Sequence, residues 1–136
     1  MAIRELSPAG QLIYDRAGAP LAYLGHDNVI CRLDGASVGY VHRESVWTFP
    51  GDPAGWLIEG WLRTLPGYCV GFMSHAIPSS GPSMPIRKHA FQIVRRQNLR
   101  GTGVRRNVPL RPGLKKRWSK ASLKLLLNWI QLDAGQ

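Results

Sequence analysis

The sequence predicts a mainly β protein: four hairpin repeats of about sixteen residues in a closed pseudo-four-fold arrangement, followed by an extended basic tail and one C-terminal α-helix. Three observations carry this. A pattern centred on a turn glycine occurs four times between Ile13 and Met73. The net charge of +10 is concentrated in the second half of the chain. One stretch near the end, residues 119–132, has the apolar periodicity of a helix.

Aligned on their glycines, the four copies read IYDRAGAPLAYL, ICRLDGASVGYV, VWTFPGDPAGWL and LRTLPGYCVGFM. The glycines are Gly18, Gly35, Gly51 and Gly67, spaced 17, 16 and 16 residues apart. Five residues before each stands Ile13, Ile30, Val46 or Leu62, and three after it Leu21, Val38, Ala54 or Val70. A small residue follows (Ala22, Gly39, Gly55, Gly71), then an aromatic (Tyr23, Tyr40, Trp56, Phe72), then Leu24, Val41, Leu57 or Met73. Agreement at this many positions makes the repeat the primary architectural signal.

Each copy reads as two short strands around a tight turn, because glycine accepts the positive φ that such turns demand. Polar joints separate the copies: Gly25-His26-Asp27-Asn28, His42-Arg43-Glu44-Ser45 and Ile58-Glu59-Gly60. About eight strands result. Strict alternation then places the aromatics on one face with Leu21, Val38, Ala54 and Val70, and the small residues on the other with Leu24, Val41, Leu57 and Met73. The small residues are expected to lie near a central axis with no room for more than a methyl group.

The run Gly55-Trp56-Leu57-Ile58-Glu59-Gly60-Trp61-Leu62-Arg63, closing in Cys69-Val70-Gly71-Phe72-Met73, resembles the four-fold β-flower family of small bacterial proteins, over about residues 12–76. The resemblance implies a closed ring of hairpins and brings no activity and no catalytic residue with it. It also implies a Pro-rich tail ending in a short Trp-containing segment, to which Trp118-Ser119 and the expected helix after them correspond. Here the tail departs from that pattern in being basic and only modestly Pro-rich.

Residues 1–73 hold five Lys/Arg and seven Asp/Glu, whereas residues 74–136 hold thirteen Lys/Arg and only Asp133 as an acid. Such asymmetry predicts a near-neutral body and a basic arm. The expected division is a flower domain over 1–76, a Pro-containing basic linker over 77–117 and a helix over 118–136. In the arm, Arg95, Arg96, Arg100, Arg105, Arg106, Arg111, Lys115, Lys116 and Arg117 are the candidate anion-binding residues. Clustered cations on an extended segment suit phosphate contacts, with nucleic acid or ribosome first, made to the backbone and without sequence readout. The plainer reading is a solvated tail, or an arm packed on an acidic protein. Arg100-Gly101-Thr102-Gly103 has the composition of an anion-binding nest but lacks the phosphate-loop spacing.

In SKASLKLLLNWIQL, Ser119 is the expected N-cap, and Lys120, Lys124, Asn128 and Gln131 form one polar stripe. Leu123, Leu126, Trp129 and Ile130 anchor the apolar face. Three fates compete for it: packing on the flower, pairing with a second copy or another protein, and lying on an anionic membrane.

The acids Asp15, Asp27, Asp34, Glu44, Asp52 and Glu59 fall in turns and joints, where they are expected to be solvated or turn-forming. His26 and His42 stand in equivalent joints, too few for a metal site. Cys31 and Cys69 are expected to be buried thiols. No cofactor, metal or catalytic constellation is implied. With no leader-like or membrane-spanning run, the expected location is the cytoplasm. The function expected is a non-catalytic binding or scaffold module. The alternatives are an assembly protein using the C-terminal helix and a protein of anionic membrane surfaces.

Overall fold

Each turn glycine of the repeat closes a hairpin in the same way. In the computed structural model, which describes residues 6–7, 10–88, 104–120 and 122, the Gly18 amide donates to Asp15 O while the Asp15 amide donates to Ala19 O. The same pair of bonds recurs at Arg32/Gly35/Ala36, Thr48/Gly51/Asp52 and Thr64/Gly67/Tyr68. The four glycines carry φ of 81°, 93°, 105° and 105°, the left-handed position that lets a three-residue loop match the twist of its strands.

The strands are β1 (Leu6–Ser7), β2 (Gly10–Tyr14), β3 (Pro20–Leu24), β4 (Val29–Arg32), β5 (Ser37–His42), β6 (Ser45–Trp47), β7 (Pro53–Ile58), β8 (Trp61–Thr64) and β9 (Cys69–Met73). Eight of them, β2 to β9, pair antiparallel with their sequence neighbours, and β9 returns to β2 through Ile13↔Met73 and Tyr14↔Phe72. The sheet is thereby closed into a barrel with the four hairpins as its staves. The short β1 pairs with the start of β2. A 3-10 turn at Pro78–Ser80 is the one helical element among the described residues. The helix expected over 118–136, with its anchors Leu123, Leu126, Trp129 and Ile130, falls on residues outside the described ones apart from its first few positions.

The barrel interior corrects the expected faces. Leu21, Val38, Ala54 and Val70 do not lie with the aromatics; they pack in the interior with Ala22, Val41, Met73 and the four strand residues Ile13, Ile30, Val46 and Leu62. The cause is a bulge in every hairpin. Ile13 pairs with Ala22 while Tyr14 pairs with Pro20, which leaves Leu21 as the extra residue. The register slips identically at Val38, Ala54 and Val70. One inserted residue resets the alternation, so two consecutive side chains face inward.

At Gly71 the second of these two is held small by the neighbouring strand β2. A Cβ on Gly71 would stand 3.0 Å from Tyr14 O and 3.3 Å from Ile13 Cγ2. The aromatics are left on the outside. Tyr14, Tyr23, Trp61 and Phe72 form one outer cluster and Tyr40, Trp47 and Phe49 another. All are buried, which an exterior ring of a lone barrel would not be, so a second layer has to cover them.

Candidate anion-binding strap

Part of that layer is the basic segment, whose Arg87, Arg105 and Trp118 lie against these clusters, and part is the chain just before it, where Ile77 and Gly81 meet Trp61. The prolines of the basic segment, Pro109 and Pro112, disfavour helix, and the segment runs along the outside of the barrel as an extended strap. It docks on the hairpin turns by one repeated geometry. The Lys88 amide donates to Gly18 O (2.9 Å), the Arg106 amide to Gly51 O (3.0 Å) and the Lys115 amide to Gly67 O (3.2 Å). Two residues earlier in each case, the carbonyl of Ile86, Val104 or Gly113 lies directly over the same glycine, where a Cβ would stand 2.1–2.2 Å from it. Arg106 comes eighteen residues after Lys88, with two hairpin steps between the glycines, and Lys115 nine after Arg106, with one. From the second dock to the third the strap thus advances nine residues over one hairpin. In an antiparallel meander the turns within hairpins share one end, so the docks fall around one rim of the barrel.

Beyond the third dock the chain joins the wall. Cys69 and Trp118 form a parallel bridge, with the Cys69 amide donating to Arg117 O and the Ser119 amide to Cys69 O. The Trp118 ring packs edge-on against Trp61 and Phe72, with centroids at 5.8 and 6.3 Å. Arg63 holds this junction. Fully buried, it donates through Nη1 to Gly67 O (3.0 Å) and Lys115 O (2.9 Å), and through Nη2 to Ser80 O. Its guanidinium fork thus ties the fourth turn, the strap and the 3-10 turn together.

The strap's cations divide into two groups. Arg106 pairs with Asp52 at 2.6 Å and Arg111 with Glu44 at 3.1 Å. Arg87, Arg105 and Lys115 lie over the rings of Tyr14, Tyr40 and Tyr68 at 5.8, 5.9 and 5.5 Å, and Lys115 also donates to Pro66 O. These contacts hold the strap to the barrel, each modestly, since all are solvent-accessible. Lys116, Arg117 and Lys120 are exposed. Of the nine expected anion-binding residues the structure thus brings Arg105, Arg106, Arg111, Lys115, Lys116 and Arg117 onto one strap. Arg95, Arg96, Arg100 and the Gly101–Gly103 segment lie outside the described residues.

The acids behave as turn residues. Asp15 Oδ1 accepts from the Ala17 and Ala19 amides, and Asp27 Oδ1 from Val29. The hydrogen bond from Arg32 beside Asp34 holds that carboxyl below the usual carboxylate range. Glu59 accepts from Ser80 Oγ. His42 is kept below the ordinary imidazole value by partial desolvation, helped by Arg105 and Arg43. Both cysteines are buried free thiols, and burial pushes the Cys69 thiol up against the opposing influence of Arg63. No group of three or more metal-ligating side chains occurs among the described residues. A cavity of about 620 Å³ opens at the turn end, floored by Leu21, Val70 and Trp118 and edged by Arg16 and Lys120.

Sequence reasoning did not single out Arg63 or the tyrosine platforms. For Arg63 a signal existed. The equivalent positions of the other copies are Tyr14, Cys31 and Trp47, so an arginine there is the odd member of an otherwise apolar outer position. Nothing in sequence marks Tyr14, Tyr40 and Tyr68 as partners of residues 47 to 73 positions away. A family model described as 4-fold beta flower protein matches residues 11–127, most of the chain. Neither the curated proteins nor the solved structures include a match.

Proposed function

This chain belongs to the 4-fold beta flower family, and on that premise we propose a non-catalytic binding module: a pseudo-four-fold flower whose cationic strap meets an anionic macromolecular surface. The observation that supports it is the charge imbalance of the strap. The acids of the barrel that face it, Asp52 and Glu44, engage Arg106 and Arg111, while Lys116, Arg117 and Lys120 project from the surface on a backbone already fixed by the docks. A fixed row of cations reads phosphates without ordering cost at the moment of contact. Extended main chain and long cationic side chains reach a phosphate backbone and carry no base-edge code, so the expected contact is independent of sequence.

The test is retention on polyanions over a salt series, using duplex DNA, structured RNA and heparin. Binding that falls steeply with salt, and falls further in Lys116→Glu/Arg117→Glu, is the expected result. Absence of retention on any polyanion and on any anionic surface at low salt removes the reading.

A further inference from the structure

The strap carries a second feature that cations alone do not explain. Ile86, Val104 and Leu110 are 89%, 91% and 94% exposed, and Val108 is 58% exposed. Aliphatic side chains left this open on a docked segment contribute nothing to the core; Ile86 and Val104 stand at docks on the turn end, whereas Leu110 precedes Arg111, which reaches Glu44 in a joint at the other end. Their placement follows from the docks. An i, i+2 pair on one glycine is extended backbone, and successive side chains of extended backbone point to opposite sides. Ile86 therefore shares its side with Lys88, and Val104 with Arg106, while Arg87 and Arg105 between them lie over Tyr14 and Tyr40.

From this arrangement, and resting on the cationic-strap reading above, we infer that the anionic partner is a lipid surface. In this assignment Ile86 and Val104 enter the interfacial layer, while Lys88, Lys116, Arg117 and Lys120 meet lipid phosphates. A phosphate backbone of nucleic acid offers no complement to protruding aliphatics. Stacking on bases would call for exposed aromatics, and the one described strap aromatic, Trp118, is committed to Trp61 and Phe72. At a membrane interface the two kinds of contact reinforce each other: aliphatic insertion supplies depth-dependent affinity, and basic residues supply attraction to anionic headgroups. The docks at Gly18 and Gly51 put Ile86 and Val104 on one rim, where a plane can meet both. Attachment is peripheral; among the described residues no helix is long and apolar enough to cross a membrane.

Co-sedimentation of the full chain with phosphatidylcholine vesicles, and with vesicles containing phosphatidylglycerol, tests this, with heparin and DNA retention measured on the same preparations. Expected are binding to the anionic vesicles only, and a loss of at least about tenfold in Ile86→Ser/Val104→Ser, with polyanion retention unchanged. Both side chains are exposed, and an unchanged circular dichroism spectrum and melting temperature confirm that the fold is kept. Retention on nucleic acid without vesicle binding overturns the lipid assignment and leaves the cationic-strap reading standing. Vesicle binding that the serine variant leaves intact overturns it too, because the attraction is then electrostatic alone. Binding to neither surface discards both.

Discussion

Gly51 shows what a dock demands of one residue. Its φ of 105° is strained for any side chain, and a Cβ would stand 2.2 Å from Val104 O. Gly51→Ala is expected to lower stability by about 1–3 kcal/mol and to release the strap locally. Urea denaturation measures the first effect, and faster exchange of the Arg106 amide, which donates to Gly51 O, measures the second. Arg63 poses the opposite problem, a buried cation whose partners are carbonyls. Arg63→Met removes the guanidinium from the Lys115 and Ser80 carbonyls, while Gly67 O keeps the Lys115 amide, and is expected to cost on the order of 3 kcal/mol. Arg63→Lys should recover only part, since an ammonium cannot span three acceptors as the fork does. His42 offers a reporter of the strap. Its pKa is depressed in the folded chain, so the folded form resists protonation. Any contribution it makes is full above the unfolded value, about 6.5, and is lost as pH falls from there to the folded value. Proton NMR should give a midpoint below that value, moving up in Arg105→Ala.

Among the elements, the hairpin bulge carries the architecture. It turns Leu21, Val38, Ala54 and Val70 inward and fills the barrel with them. It also bears on the small residue that follows at Gly71. At Gly71, where β9 closes on β2, valine would push branches past the 3.0 Å and 3.3 Å contacts with Tyr14 O and Ile13 Cγ2. Gly71→Val is expected to cost about 1–3 kcal/mol, and Gly71→Ala distinctly less, as read from paired denaturation curves. The repeat gave away the number of hairpins, their turns and the small position. It did not give away the bulge, because an inserted residue is visible only against its pairing partner, and the sequence of one strand does not name that partner. Strict alternation was the natural assumption, and it assigned four interior residues to the wrong face.

At the scale of the molecule, the protein is a barrel plus its own cover. Outer aromatics are covered in part by a strap arriving from residues 84–88 and 104–118, which reaches Tyr14, Tyr40, Trp61 and Phe72, and in part by Ile77 and Gly81 on Trp61. Trp118 is where the cover meets the wall, so Trp118→Ala is expected to cost about 3 kcal/mol and to raise exchange at the Cys69 and Ser119 amides, which pair across that seam. Native-state thiol labelling should rise as well, since Cys69 lies beneath it. The candidate site was legible as a set of cations and illegible as a surface. Arg106 and Arg111 look no different in sequence from Lys116 and Arg117, yet the first two meet Asp52 and Glu44 and the second two stand exposed.

By itself the sequence determined the four hairpins, because turn chemistry and strand alternation are local and are written within a dozen residues. It also determined that the positive charge lies after the hairpins. Only the tertiary structure decided that the charged segment is a strap, that it docks on the turns of distant hairpins, and which of its side chains face outward. Those outcomes depend on carbonyls and rings contributed by distant turns, and a backbone acceptor leaves no mark in the residue that bears it.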